Sequence, residues 1–234
     1  MADPAVPAWL RGLGTAIAGP GARCPVGGVR PPGGGRDSAV LVLFGEGPAG
    51  PDVLLIQRSD GLANHPGQPA FPGGGTDPAD RGPVATALRE AAEEVGLDAT
   101  GVDVVAVLSP LHIPVSGYLV TPVVAWWREP APVRVVDPVE VARVERVSLD
   151  ELADPSHRWQ IRHPSGYVGP AFEVHDMLVW GFTAGLLDRM LDLAGWTLPW
   201  DRDRVRDLPA GTVTSVTRVP PAAYRGDPST GATE

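Results

Sequence analysis

Through its middle the chain alternates short apolar runs with Gly- and Pro-rich turns, and both ends lack this rhythm. Runs of aliphatic and β-branched residues stand at AVLVLFG (39–45), DVLLIQR (52–58), VDVVAVL (102–108), YLVTPVVAWW (118–127) and VARVERVSL (141–149). Their length and composition predict strands, and EGPAG between the first two predicts a hairpin turn. Residues 83–95 and 176–195 instead repeat apolar positions three and four apart, which predicts two helices. In the second, residues from Met177 through Trp180, Phe182, Leu186, Leu187 and Met190 to Leu191 make one wide apolar face suited to packing on a sheet. Strands accompanied by two such helices predict a mixed sheet covered by helices, of α/β or α+β class.

Composition narrows the picture. The first 37 residues (among them GPGARCPVGGVRPPGGGR) predict a flexible Gly/Pro-rich arm with a short helix near Trp9, and residues 202–234 predict a disordered tail. One folded domain over 38–201 remains, with no repeat of solenoid or propeller period. A hydrophobic content of 43% and a charged content of 20% suit a globular core. The net charge of −9 gives no general attraction to nucleic acid or to an anionic membrane, so an anionic substrate needs local cations or a metal. Cys24 is the single cysteine, which rules out an intrachain disulfide framework, and its Gly/Pro-rich setting does not suit a reactive thiol. MADPAVPAWLRGLG does not read as a signal peptide, and no apolar run approaches the ~20 residues that span a bilayer. A cytoplasmic protein is expected.

The segment PVATALREAAEEVGL (83–97) carries the chemistry. Pro83 suits the first turn of a helix and Gly96 its C-terminal end. Leu88, Ala91, Ala92 and Val95 are the expected buried stripe, with Glu90, Glu93 and Glu94 on an adjoining, exposed one. Three carboxylates on one face repel each other by a few tenths of a kcal/mol per pair. They also sit in the half of the helix where the dipole disfavours negative charge. A divalent cation turns this cost into affinity, because Mg²⁺ takes carboxylate oxygens and bridges to substrate phosphates. Alone, EAAEE would read as a solvated helix face. It does not stand alone: FPGGGTDPADRG leads into it as a Gly-rich turn and an acidic loop, able to bring backbone close to a phosphate.

Residues 71–97 resemble the Nudix box, whose pattern runs Gly, five residues, Glu, seven residues, Arg-Glu, apolar, any, Glu-Glu, any, Gly, apolar. Gly74, Arg89, Glu90, Glu93, Glu94, Gly96 and Leu97 match it, with Ala91 a small version of the apolar position. Asp80 stands at the first acidic position, and one extra residue separates it from Arg89; Asp77 lies nearby as a second acid. Upstream, LLIQRSDGLANHPGQPAFPGG (54–74) resembles the coenzyme A diphosphatase branch through Leu54, Leu55, Arg58, Ser59, Gly67, Phe71, Pro72, Gly73 and Gly74. Ile56 replaces the usual Thr of that signature and Ala63 the usual Arg. An Arg there would be a forked partner for the 3′-phosphate of coenzyme A.

The resemblance implies an α/β/α sandwich with a mixed sheet and Mg²⁺- or Mn²⁺-dependent water attack on a diphosphate. It implies Glu90 and Glu94 as metal ligands, Glu93 as a further ligand or an orienting group, and Asp80 as a fourth carboxylate. Arg89 would hold a box carboxylate in place. Glu140, or a box glutamate such as Glu93 or Glu94, would take the proton from water. Arg58, Ser59, His65, Gly73 and Gly74 would contact substrate, with His65 suited to fixing its loop. The partner implied is a small nucleoside diphosphate such as coenzyme A, and a homodimer is compatible with the chain. ADP-ribose, NADH or a dinucleotide is the alternative substrate class, and a non-catalytic nucleotide-binding module is a third reading.

Overall fold

The computed structural model describes residues 6–18, 35–113 and 116–212. Cys24 lies outside them. Helix α1 (Ala8–Ala18) precedes the hairpin of β1 (Arg36–Gly47) and β2 (Gly50–Arg58), which closes where Gly47 pairs with Gly50. Short strands β3 (Pro69–Ala70) and β4 (Gly73–Gly75) lead to α2 (Pro83–Val95). Then come β5 (Val102–Val107), β6 (Leu111–Ile113), β7 (Tyr118–Trp127) and β8 (Val141–Ser148). The sheet is mixed: β7 runs parallel to β1, from Arg36 opposite Tyr118 to Phe44 opposite Trp126, while β5 on β7 and β8 on β2 are antiparallel. The strand order is β3-β2-β1-β7-β5, with β4 added to β1, β6 to β7 and β8 to β2.

Both faces of the sheet are buried, so its central strands read as nearly continuous apolar runs. Ala39, Leu41 and Leu43 of β1 join Leu54, Ile56, Val123 and Ala125 beneath α2. Val42 and Phe44 point the other way with Leu55, Val124 and Trp126. On that second face lie α1 and α4 (Gly181–Ala194), whose Leu186, Leu187, Met190 and Leu191 are buried. Helix, sheet and helix therefore form the expected three layers.

Three expectations are corrected. The arm over 1–37 contains a packed element: Leu10 and Leu13 of α1 are fully buried, and the Trp9 ring stands edge-on to Phe44 at 5.5 Å. The helix expected from 176 starts at Gly181. Residues 177–179 are instead β11 (Met177–Val179), joined to β10 (Val168–Val174) by His175 and Asp176, both at positive φ (49° and 57°). Two successive residues of that kind make a tight hairpin turn, which a helix cannot contain. The tail expected from 202 also has structure: β12 (Val205–Asp207) pairs in parallel with β9 (Arg158–Arg162), and Leu208 is buried. Together β11-β10-β9-β12 form a second sheet, connected to the first through the short helix α3 (Leu149–Ala153) that follows β8.

Candidate active site

Pro83 opens α2 and Gly96 closes it in the left-handed region (φ 70°), its N–H donating to the carbonyls of Ala91 and Ala92. Ala87, Ala91 and Val95 seat the helix on the sheet, their small side chains allowing a close approach. Ala92 is exposed. The buried stripe is thus rotated from the expected one, which turns Glu94 into the body of the protein rather than towards water.

Glu94 is 2% exposed. Its Oε2 accepts the Gly73 N–H at 3.0 Å, and its Oε1 is buried without a hydrogen-bond partner among the described residues. Burial pushes its carboxyl pKa up to about 8; the Gly73 N–H and Arg58 oppose this, and the charges of Glu90 and Glu140 add to it. Glu90 is largely buried and lies over Gly74, where an added Cβ would stand 2.5–2.6 Å from its carboxyl atoms. Gly74 is therefore glycine because a carboxylate occupies the space a side chain would need. Burial also raises the Glu90 pKa, against Arg89. Gly73 adopts φ 157°, and a Cβ there would run into the Ala39 carbonyl.

Arg89 ties the box together. Its Nε and Nη2 reach Asp80 at 3.1 and 2.9 Å, Nη2 also donates to the Gly75 carbonyl at 3.0 Å, and Nη1 meets Glu90 at 3.0 Å and Glu93 at 2.9 Å. Asp80 accepts further from the Asp77 N–H and the Thr86 hydroxyl, both at 2.9 Å. The Arg89 hydrogen bonds, helped by those two, hold its carboxyl well below the usual range. With both oxygens engaged, Asp80 suits an anchor for the long loop better than the metal ligand expected of it. Asp77 is occupied likewise, its Oδ1 accepting the Ala79 N–H at 2.8 Å. Glu93, 59% exposed at the side chain, stands at the rim on Arg89. Thr86 was not singled out by the sequence; the signal was its place one helical turn before Arg89.

The remaining candidates lie on the β2–β3 connection. The Arg58 N–H donates to the Gln68 carbonyl at 3.0 Å, and its Nε is buried without a partner among the described residues. His65, at φ 54°, places Nδ1 3.0 Å from Gln68 Oε1, a hydrogen bond within the loop. Burial lowers its pKa, and Arg58 lowers it further against Gln68. Ala63 is exposed. The Ser59 N–H donates to the Glu140 carbonyl at 2.8 Å, which brings the end of β2 to the start of β8. Glu140 is exposed there, and its charge acts on both Glu90 and Glu94. No three acidic, histidine or cysteine side chains among the described residues already converge on one point. Glu94 nonetheless supplies a carboxylate oxygen with no partner among the described residues, the donor that a hard divalent cation takes, and the Arg89-paired Glu90 lies one helical turn before it.

Residues 35–167, more than half of the chain, match the family model described as the NUDIX domain. The chain belongs to the Nudix hydrolase family. Two relatives described as uncharacterised Nudix hydrolase NudL agree: one from Photorhabdus laumondii is 39% identical over 148 residues, covering 60% of this chain and 75% of that protein. One from Escherichia coli K12 is 39% identical over 159 residues, covering 65% and 79%. The crystal structure of RenU, a Nudix hydrolase from M. smegmatis, shares the fold with a TM-score of 0.50 at 22% identity, over 75% of this chain and 99% of that one. As a Nudix hydrolase the protein is a diphosphatase, and Nudix enzymes act on small nucleoside diphosphates, generally with Mg²⁺ or Mn²⁺. No helix among the described residues is long and apolar enough to cross a membrane.

Proposed function

We propose that this Nudix hydrolase cleaves the diphosphate of coenzyme A or a derivative in the cytoplasm, releasing 4′-phosphopantetheine and adenosine 3′,5′-bisphosphate. The observation that carries the metal-dependent chemistry is Glu94, whose buried Oε1 has no partner among the described residues and lies on the same helix face as Glu90. These two carboxylates are the proposed ligands of Mg²⁺ or Mn²⁺, with Glu93 holding Arg89 at the rim. The bound ion would draw charge from the phosphoryl oxygens and lower the pKa of a water. Glu140 takes the proton as that water adds to phosphorus and the bridging oxygen leaves. Arg58 offers its Nε–H, which has no partner among the described residues, to the substrate's phosphate. Arg89 and Asp80 keep the loop and Glu90 in place, and the glycines at 73 and 74 let the backbone approach the diphosphate.

The substrate half of the reading rests on the resemblance of residues 54–74 to the coenzyme A diphosphatase signature. Ala63 favours a second reading. It stands exposed where that signature has Arg, so ADP-ribose, NADH or a dinucleotide, none of which needs a 3′-phosphate partner, remains the competing class. Purified protein with Mg²⁺ or Mn²⁺, offered coenzyme A, ADP-ribose, NADH and diadenosine polyphosphates in parallel, separates the two by mass spectrometry of the products. Release of 4′-phosphopantetheine as the fastest reaction is expected. Faster cleavage of another compound would keep the chemistry and replace the substrate, and no cleavage of any would leave a nucleotide-binding module.

A further inference from the structure

The chain between β7 and β8 passes over the C-terminal end of α2 before it delivers Glu140. The Arg134 N–H donates to the Val95 carbonyl at 3.1 Å, and the Val136 N–H to the Glu94 carbonyl at 3.0 Å. These are two of the carbonyls that the last turn of a helix leaves without partners inside the helix. The strap is therefore fastened to the residue that carries the buried carboxylate.

It then turns at Asp137. The Asp137 Oδ1 accepts the Val139 N–H at 2.9 Å, and the Asp137 carbonyl accepts the N–H groups of Glu140 at 3.3 Å and Val141 at 2.9 Å. Beyond the turn, the Glu140 carbonyl takes the Ser59 N–H at 2.8 Å. Val133 and Val135 before the turn and Val141 after it pack on the cluster beneath α2, but packing contributes little at the turn itself, where Val139 is 72% exposed and Val136 is 43% exposed. An aspartate that bonds the backbone two residues on forms a local turn without tertiary support. In this loop that turn sets the path of the backbone from Val136, above Glu94, to Glu140.

We propose that Asp137 is a positioning residue of the diphosphatase reaction, its side chain fixing the reach of Glu140 to the Glu90–Glu94 pair. The inference rests on Glu140 being the group that takes the water proton. Misplacing a catalytic group by about 1 Å can cost on the order of 100-fold in rate. A freed turn that revisits the productive arrangement part of the time loses less, about tenfold.

The test compares Asp137→Ala, Asp137→Asn and Glu140→Gln by steady-state kinetics with Mg²⁺ and coenzyme A, or whichever of the four compounds offered above the wild type cleaves fastest. It adds amide hydrogen exchange at Val139, Glu140 and Val141 in metal-free protein. Glu140→Gln should lower kcat by about 100-fold or more. Asp137→Ala should lower kcat about tenfold with KM within twofold, and speed exchange at the three amides. Asp137→Asn keeps the accepting Oδ1 and should restore kcat to within about threefold and slow the exchange again. Faster exchange in Asp137→Ala with unchanged kcat, alongside a crippled Glu140→Gln, would overturn the positioning role alone. So would a fall in kcat that Asn does not restore. Normal kcat in Glu140→Gln would remove the proton-acceptor role and the inference with it.

Discussion

Glu94 holds two opposed demands in one side chain. Catalysis as proposed needs its carboxylate charged, and the metal-free fold prefers it neutral. Burial raises its pKa from 4.5 to about 8, so the native state binds a proton more tightly than the unfolded chain does. Stability then falls as pH rises from about 4.5 to about 8, and levels off above. Gln at this position keeps an oxygen for the Gly73 N–H and carries no charge. Relative to wild type, metal-free Glu94→Gln should gain about 1–3 kcal/mol over that pH range, read from urea unfolding at pH 4.5 and 8. Adding Mg²⁺ should stabilise the wild type and leave the variant unmoved, because a ligand that binds only the native state adds stability by mass action. Activity should drop at least about 100-fold. A stability difference that stays flat with pH would mean that Glu94 carries no buried charge. The spacing of Glu90, Glu93 and Glu94 was legible in the sequence, because one helix fixes it. The burial of Glu94 was not, since it depends on Gly73, which a separate strand supplies from twenty-one residues away.

Elements with strong periodicity were the legible ones. The central strands fall where the β-branched runs stand, and α2 runs between its proline and its glycine. What failed was context. β9 reads RWQIR, with charge at both ends, and becomes a strand by pairing with β10 and β12 rather than by its own pattern. Met177, Leu178 and Val179 share the apolar spacing of the helix that follows, and only the His175–Asp176 turn, which folds them back onto β10, makes them a strand. In α1 the helix near Trp9 was expected but its burial was not, because its apolar partners, Phe44 and Trp196, lie far along the chain. A prediction belongs to this element. Leu10→Ala should cost about 2–5 kcal/mol, as for other leucines removed from a closed core. The loss reads as a lower urea midpoint, with kcat unchanged below the transition, since α1 packs on the sheet face opposite the glutamates. A loss under about 0.5 kcal/mol would restore the picture of a loose arm.

On the scale of the whole molecule, the question is how the second sheet is fastened to the first. Apolar packing through Phe172, Val174 and Met177 does most of it, and His175 adds a polar clasp. Its Nδ1 lies 3.0 Å from Glu145 of β8, and its Nε2 lies 3.1 Å from Glu151 of α3. Arg143 donates to the His175 carbonyl at 2.6 Å and stands 3.5 Å from Glu145. Burial works against the imidazolium, yet the two glutamates outweigh it and raise the pKa above 6.5. A histidine whose folded-state pKa is raised stabilises fully below its unfolded value, and that contribution fades as pH rises through the folded one. His175→Asn tolerates the positive φ of the turn and does not titrate. Wild type should therefore exceed the variant by up to about 1 kcal/mol at pH 5.5, the scale of a partly exposed ion pair. The excess should shrink steadily once pH passes 6.5, which urea midpoints at matched ionic strength would show. An excess that stays constant to pH 9 would mean that the clasp works through neutral hydrogen bonds, and the two sheets would then be held together with no dependence on the charge of His175.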